Sequence, residues 1–230
     1  MRTVAVTGSS GGIGSALVAR LEEIGHRVVC IDIVASTLGS QPSVDLNDWD
    51  ECIALARGLG EVDVLINNAA TLIERPSADI TNSDFNSIMA VNLAAPFLLM
   101  RELLPGMADR GFGRIVNVAS IACRTGGTRV SAVYAASKAG LVSLTKNFAR
   151  EYASYGVTIN AVAPGAIDTP MSRGQMARDN TLMGRLLESL PIKRLGSPTE
   201  VVALICFLIS DEASFVTGST IDINGGLFMS

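Results

Sequence analysis

The chain has 230 residues, of which 48 % are apolar and only 5 % aromatic, and it carries a net charge of −4. This length suits one large α/β domain, and the glycine-rich composition favours helices packed on a parallel sheet over a β-sandwich. Scattered basic residues in an acidic chain exclude a nucleic-acid partner, and no apolar run reaches the roughly 20 residues needed to cross a bilayer.

The four cysteines are widely spaced and form no CxxC pair, which indicates free thiols in a reducing compartment. The single histidine, His26, closes a turn before an apolar run, which indicates a structural role, and no metal site is expected. The first predicted strand begins almost at Met1 and leaves no room for a signal peptide. We therefore expect a cytoplasmic protein without a membrane partner.

Short β-rich runs alternate with stretches of helical periodicity from end to end. The predicted strands are Thr3–Val6, Val28–Ile33, Val62–Ile66, Arg114–Val118, Thr158–Val162 and Thr220–Ile223, with a very short one near Val44. The predicted helices are Gly12–Ile24, Trp49–Arg57, Asn82–Met107, Ser131–Tyr155 and Pro198–Leu208. This alternation predicts an α/β fold, a Rossmann-type doubly wound parallel sheet of about seven strands with helices on both faces. Residues 1–230 are expected to form a single domain.

A glycine-rich turn follows the first predicted strand and opens the first predicted helix. Glycine lets a backbone approach a pyrophosphate closely, while the N–H groups at the start of the helix face its charge. No lysine follows Gly14 where a nucleoside-triphosphate loop requires one, so a P-loop is excluded. The predicted cofactor contacts from this turn are Gly8, Ser10, Gly11, Gly12, Ile13 and Gly14.

Asp32 ends the second predicted strand. A carboxylate there can accept hydrogen bonds from both ribose hydroxyls of an adenosine and repels a 2′-phosphate. No arginine or lysine in the glycine turn or directly after Asp32 reverses that preference. NAD is therefore the predicted cofactor and NADP the alternative. A methyltransferase would use the same two features, so these alone do not exclude that class.

Tyr134 and Lys138 stand one helical turn apart on one helix face. A phenol with a pKa of about 10 is too weakly ionised to act as a base near neutrality. Lowering that pKa to about 7 takes about 4 kcal/mol, which one positive charge about 4 Å away supplies at an effective dielectric constant near 20. The spacing also occurs on ordinary helix surfaces, so the neighbouring motifs decide between an acid–base centre and a surface pattern.

Together these motifs resemble the classical short-chain dehydrogenase/reductase family, in order and over essentially the whole chain. The residues that carry the resemblance are the glycine turn, Asn67-Asn68-Ala69-Ala70, Asn92, Ser120, Tyr134-x-x-x-Lys138 and Pro164-Gly165. The resemblance implies that Tyr134 is the general acid/base and that Lys138 binds the nicotinamide ribose and lowers the pKa of the phenol. It also implies that Ser120 binds the substrate oxygen and that Asn92 holds a water for proton relay.

The same resemblance implies further cofactor contacts from Asp45, Leu46, Asn68, Ala69, Val91, Pro164, Gly165, Ile167 and Thr169. Residues expected to face the substrate are Ser120, Ile121, Cys123 and Met171, and residues 171–190 are expected to form a mobile substrate lid. Ala70 departs from the glycine that the family often has, and the loop between Ser120 and Tyr134 is one residue longer than in some relatives.

Pro96 lies four residues after Asn92 inside a predicted helix. Proline has no N–H, and its ring crowds the carbonyl four residues back. We therefore expect the helix to kink there and to leave the carbonyl of Asn92 free for the relay water.

These features predict an NAD(H)-dependent oxidoreductase that interconverts a small-molecule secondary alcohol and a ketone by hydride transfer. The runner-up is a 3-oxoacyl-carrier (ketoacyl thioester) reductase that uses NADPH. A catalytically silent nucleotide sensor would usually lack the tyrosine or the lysine, and a sugar-nucleotide epimerase would usually have a longer C-terminal region. The apolar residues on several faces of the long helices, together with the family resemblance, predict a homo-oligomer, a tetramer or a dimer.

Overall fold

The computed structural model describes residues 1–34, 43–127, 130–170, 172–173 and 180–229. Its sheet has six strands, all paired in parallel, in the order β2-β1-β3-β4-β5-β6. The strands are β1 Thr3–Thr7, β2 Arg27–Ile31, β3 Val64–Asn67, β4 Gly113–Val118, β5 Val157–Pro164 and β6 Thr220–Ile223. The predicted doubly wound parallel sheet is confirmed, with six strands in the described part of the chain in place of about seven.

The short strand predicted near Val44 is wrong. The Val44 N–H donates a hydrogen bond to the Asp32 carbonyl at 2.9 Å, but Val44 belongs to no strand. A single backbone bond beyond the end of β2 does not extend into a ladder, and the sheet ends at β2 on this side.

Eight α-helices lie in the described part of the chain, and one of them, α8, has the predicted bounds. They are α1 Gly12–Glu23, α2 Trp49–Gly58, α3 Asn82–Met89, α4 Ala95–Asp109, α5 Ala122–Thr125, α6 Ala132–Tyr152, α7 Asn180–Ser189 and α8 Pro198–Leu208. A capping box starts α8, in which the Ser197 hydroxyl accepts from the Glu200 N–H and the Glu200 carboxylate accepts from the Ser197 N–H. The sequence patterns did not predict α5 or α7.

Alternate residues of the strands point to opposite faces of the sheet, and helices cover both faces. Leu65 of β3 belongs to a buried cluster with residues of α4 and α6, whereas its neighbour Ile66 belongs to a cluster with α1 and α8. Strands buried on both faces explain the nearly continuous apolar runs. The strand order reverses at β1, which lies between β2 and β3. Such a reversal opens a crevice at the carboxyl ends of the strands.

The long helix predicted after Asn82 is interrupted. Residues Ala90–Ala94 form a π-helical turn between α3 and α4, with the Ala95 N–H bonded to the Ala90 carbonyl five residues back. Pro96 lies two residues after this turn and has no N–H to donate to the Asn92 carbonyl. The expected irregularity at Asn92 is therefore confirmed, in the form of a π turn.

The stretch Asn82–Asp109 is long and apolar enough to cross a membrane by length and composition alone, with a mean hydropathy of 1.4 over its most apolar window. The expectation that no apolar stretch is long enough to cross a bilayer is therefore wrong for this segment. In the structure 56 % of that window is buried inside the protein, as expected for a helix that packs on a central sheet.

A chain of buried polar side chains crosses the interior between the sheet and α6. The Asn67 amide donates to the Asn117 side-chain oxygen at 2.8 Å, and the Asn117 amide donates to the Thr145 hydroxyl at 2.9 Å. Thr145 donates in turn to the Leu141 carbonyl at 2.8 Å. Because buried polar groups are costly without partners, these bonds fix the ends of β3 and β4 against α6.

We expect Thr145→Val to lower the free energy of unfolding by about 1–3 kcal/mol, because valine keeps the shape but leaves the Asn117 amide without its acceptor. Thr145→Ser is the matched control, since it keeps the hydroxyl and removes only a methyl group. Urea unfolding of the three proteins measures the difference. A valine variant as stable as the wild type would show that this polar chain does not hold α6.

Candidate active site

A cleft of about 1300 Å³ runs along the carboxyl ends of the strands. It extends from Asp32 at one end to Tyr134 at the other, and most residues predicted for the site line it together. They are Gly8, Ser10, Gly11, Gly12, Ile13, Asp32, Asp45, Leu46, Asn68, Ala69, Val91, Ser120, Ile121, Tyr134, Lys138, Pro164, Gly165, Ile167 and Thr169.

The glycine turn forms one wall of the cleft because side chains would not fit there. Gly8 has a φ of 65°, and a Cβ on it would lie 2.7 Å from the Cα of Ala69. A Cβ on Gly14 would overlap the carbonyl oxygen of Gly8. Gly14 does not line the cleft itself, and its role is to let α1 pack against the turn. The N–H groups of Gly12 and Ile13 belong to the first turn of α1, where no carbonyl of the helix accepts them.

The carboxylate of Asp32 is held beside this turn by main-chain groups. One oxygen accepts from the Ser10 N–H at 2.8 Å and the other from the Val34 N–H at 3.2 Å. This fixes a negative charge at the end of the cleft where the adenosine ribose of a dinucleotide would lie. Asp45 lines the same end, and its carboxylate accepts from the N–H and the side-chain amide of Asn47.

Asn68 ties the end of β3 to the glycine turn. Its side-chain amide donates to the carbonyls of Thr7 and Gly8 at 3.0 and 2.9 Å. The Thr7 hydroxyl accepts from the N–H groups of Asn68 and Ala69, both at 3.0 Å. Together with the open glycine turn and the Asp32 carboxylate, this arrangement fits a nicotinamide dinucleotide.

The catalytic end of the cleft combines β4 with α6. Ser120 follows β4, and Tyr134 and Lys138 lie on α6, which Ser131 starts by accepting from the Tyr134 N–H. The Lys138 ammonium is fully buried, donates to the Val118 carbonyl at 2.8 Å and lies 5.9 Å from the centre of the Tyr134 ring. Tyr134 and Ser120 both line the cleft, and the Ser120 side chain is close enough to act on the Tyr134 phenol.

The pKa values differ from the simple expectation. Burial raises the pKa of the Tyr134 phenol, and the neighbouring Ser120 side chain opposes this more weakly. Burial also lowers the pKa of Lys138 to about 8. Desolvation is thus the largest influence on both pKa values in the protein alone, and the lowering of the phenol pKa by Lys138 stays a prediction.

Asn92 does not line the cleft. Its buried side chain pairs with Thr71 through both backbone groups, accepting from the N–H at 2.8 Å and donating to the carbonyl at 3.0 Å. The same amide donates to the Ser137 hydroxyl at 3.1 Å, and Ser137 donates to the Tyr134 carbonyl at 2.7 Å. Asn92 thus joins the loop after β3 to the helix that carries Tyr134, and the water relay through its carbonyl stays a prediction.

On the substrate side the sequence predictions were partly wrong. Ile121 lines the cleft, but Cys123 does not line it and packs with Ala119, Val142 and Ala161. Met171 lies outside the described residues, as do residues 174–179 of the predicted lid, whereas its remaining part includes helix α7. Leu186 and Ser189, which lie in the predicted lid, line the cleft. Lining residues that the sequence patterns did not indicate include Thr71, Leu72, Glu74, Thr125, Val130 and Leu227. Of these, only Leu227 carried a signal, since it follows the last predicted strand.

We expect Lys138→Met to be more stable than the wild type at pH 7 by about 2 kcal/mol. The lysine pKa falls from 10.5 unfolded to about 8 folded, so folding penalises the charged form by about 3 kcal/mol, less about 1 kcal/mol for the lost hydrogen bond. The unfolded chain binds more protons between pH 8 and 10.5, so the stability of the wild type rises there and the advantage of the variant shrinks.

Urea unfolding at pH 7 and pH 10 measures this difference, with the exposed Lys146→Met on the same helix as the control. A methionine variant that is less stable than the wild type at pH 7 would contradict the prediction.

Comparison with known proteins agrees with this geometry. A family model described as enoyl-(acyl carrier protein) reductase matches residues 8–228. The acetoacetyl-CoA reductase of Shinella zoogloeoides is 38 % identical to the chain over 240 residues, covering 99 % of the chain and 98 % of that protein. The 3-oxoacyl-[acyl-carrier-protein] reductase of Vibrio cholerae serotype O1 is 38 % identical over 240 residues, covering 97 % and 96 %.

Among solved structures, 4-hydroxyisoleucine dehydrogenase complexed with NADH superposes with a TM-score of 0.92 at 29 % identity, covering 99 % of this chain and 98 % of that one. The likeness therefore extends over the sheet, the glycine turn and the catalytic end of the cleft. The chain belongs to the classical short-chain dehydrogenase/reductase family of oxidoreductases.

Proposed function

We propose that the protein is an NAD(H)-dependent reductase of 3-oxoacyl thioesters, which converts the C3 ketone to a secondary alcohol. The observation that carries the proposal is the placement of Tyr134, Ser120 and the buried Lys138 together at one end of the cleft. Full-length likeness to an acetoacetyl-CoA reductase and to a 3-oxoacyl-carrier reductase supports this substrate class over a small alcohol.

The residues at the catalytic end suit the reducing direction. A bound reduced nicotinamide supplies the hydride. Because the pKa of Tyr134 is raised, its phenol is protonated at neutral pH and donates its proton to the substrate oxygen as negative charge develops there. Ser120 donates a second hydrogen bond to the same oxygen, and Lys138 is placed to return the phenol to its protonated form.

The walls next to this pair are mostly apolar. Ile121, Val130, Leu186 and Leu227 are among the residues that line the cleft. Such a lining favours the hydrocarbon part of a short acyl chain, while the thioester arm extends toward the mouth.

The cofactor proposed is NADH. Asp32 presents a carboxylate held by two main-chain N–H groups at the adenosine end of the cleft. This carboxylate would repel the 2′-phosphate of NADPH and accept hydrogen bonds from the ribose hydroxyls of NADH. NADPH is the alternative that the assay below compares.

A second candidate is oxidation of a small secondary alcohol with NAD. The likeness to 4-hydroxyisoleucine dehydrogenase complexed with NADH favours it, together with the same aspartate. In that direction Tyr134 would act as the base, and turnover would rise with pH as the phenol ionises.

We also propose that the protein is cytoplasmic and self-associates, with a second copy on the outer face of α4 and α6. Four aromatic rings follow one another at centroid separations of 6.0 to 6.3 Å, from Phe97 of α4 through the buried Phe148 and Tyr152 of α6 to Tyr155 just beyond that helix. The two end residues are 37 % and 54 % exposed, so the row continues to the surface. A two-fold pairing of α4 and α6 would bury it and allow a dimer of dimers.

The reductase proposal is tested with acetoacetyl-CoA and NADH, followed by nicotinamide absorbance. We expect turnover that is faster with NADH than with NADPH and that falls about a thousandfold in Tyr134→Phe, because the proton donor is lost. Tyr155→Phe, which removes an exposed hydroxyl, is the matched control. Activity retained in Tyr134→Phe would refute the mechanism, and oxidation of secondary alcohols without thioester turnover would favour the second candidate.

Self-association predicts a dimer or tetramer in sedimentation at micromolar concentration. Phe97→Glu should shift the protein toward the monomer, since it places a charge in the apolar face. A monomeric wild type would remove this part of the proposal.

A further inference from the structure

Arg124 connects the substrate side of the cleft to the last strand of the sheet. Its guanidinium donates to the Asp222 carboxylate at 3.2 Å and to the Thr220 carbonyl at 3.1 Å. Both charged side chains are partly exposed, at 26 % and 19 %. Two hydrogen bonds from one planar group fix its direction as well as its distance.

The element that Arg124 holds has little stability of its own. Helix α5 has four residues and ends at Gly126, which adopts the left-handed conformation. One turn of helix fixes several dihedral angles for very few hydrogen bonds, so it depends on contacts with the rest of the fold. Apolar packing of Cys123 against Val142 of α6 and Ala161 of β5 is one such contact. The polar contacts with the sheet are the Ile121 N–H bonded to the Pro164 carbonyl of β5 at 2.9 Å and the bonds of Arg124 to β6.

The outer side of α5 binds the sheet while its inner side forms the cleft. Ser120 precedes the helix, and Ile121, Ala122 and Thr125 line the cleft, whereas Arg124 does not. At the other end of the contact, β6 runs directly into the segment that brings Leu227 to the cleft. One ion pair therefore joins two walls of the substrate pocket.

We propose that Arg124 and Asp222 are positioning residues that set the separation of these two walls and so determine which acyl groups fit beside Ser120. This proposal rests on the proposed function for its substrate. It concerns neither the nucleotide end of the cleft nor the proton chemistry of Tyr134.

A purely structural ion pair and a positioning pair predict different results. Partly exposed ion pairs contribute little to global stability, so removing this one should change the melting temperature only slightly. Removing the pair instead weakens the attachment of α5, whose only other hydrogen bond to the sheet, among the described residues, is that of the Ile121 N–H. Substrate binding should therefore weaken while dinucleotide binding is unchanged.

The test compares Arg124→Met, Asp222→Asn and Arg124→Lys with the wild type, using acetoacetyl-CoA and NADH. We expect KM for the thioester to rise about tenfold in the first two variants, with kcat and the Kd for NADH changed by less than about threefold. Lysine can reach Asp222 but cannot bind Thr220 at the same time, so it should restore part of the loss. Arg57→Met, which breaks the exposed pair with Glu102 far from the cleft, is the control.

Hydrogen–deuterium exchange of the peptide that covers α5 gives a readout without substrate, and it should quicken in Arg124→Met but not in the control. Unchanged KM, or unchanged exchange in that peptide, would overturn the proposal. Equal losses of kcat, thioester binding, NADH binding and melting temperature would also overturn it and indicate a structural role. A wild type inactive on acetoacetyl-CoA would instead refute the proposed substrate, and the exchange experiment would still decide the role of Arg124.

Discussion

The active site depends on the hydrogen bond from the buried Lys138 ammonium to the Val118 carbonyl at the end of β4. Burying a cation is unfavourable, and burial therefore lowers the pKa of Lys138 to about 8. The bond holds α6 against β4 at the level where the strand ends, so that Tyr134 meets Ser120. Below it, Asn117 and Thr145 join the same strand and helix in the interior. These directional hydrogen bonds thus fix the position of α6 along β4, which apolar packing alone would specify less strictly.

The same burial explains why the pKa of Tyr134 is raised, although the sequence predicts that Lys138 lowers it. The helical spacing of the two residues shows how close a positive charge lies to the phenol, but not how much water surrounds that charge. In the folded protein the low-dielectric surroundings act on the lysine as well, and they raise the pKa of Tyr134. A protonated phenol is the form that can donate a proton to a substrate oxygen during reduction.

The nucleotide end could be predicted from the sequence because its determinants are local. The glycine turn, Asp32 and the pair Asn67-Asn68 each lie at the carboxyl end of a strand, and parallel strands bring these ends together. The substrate end could not be predicted in the same way. Its walls include α5, α7 and Leu227, which are far apart in the sequence and meet only through the crossover order of the sheet. Cys123 was predicted to line the cleft but packs in the interior. On a helix of one turn, neighbouring residues point in different directions, so the sequence does not show which of them reach the cleft.

This division has a consequence for how the two ends respond to change. Backbone groups form most of the nucleotide end, and a Cβ at Gly8 or Gly14 would collide with neighbouring backbone, so few substitutions are tolerated there. Side chains from separate elements form the substrate end, held by contacts such as that of Arg124 with Asp222. On this proposal, substitutions at such contacts would move a wall without disturbing the sheet, because α5 is a single turn of helix. The hydride chemistry of the fold would then stay constant while the accepted substrate changed with a few long-range contacts.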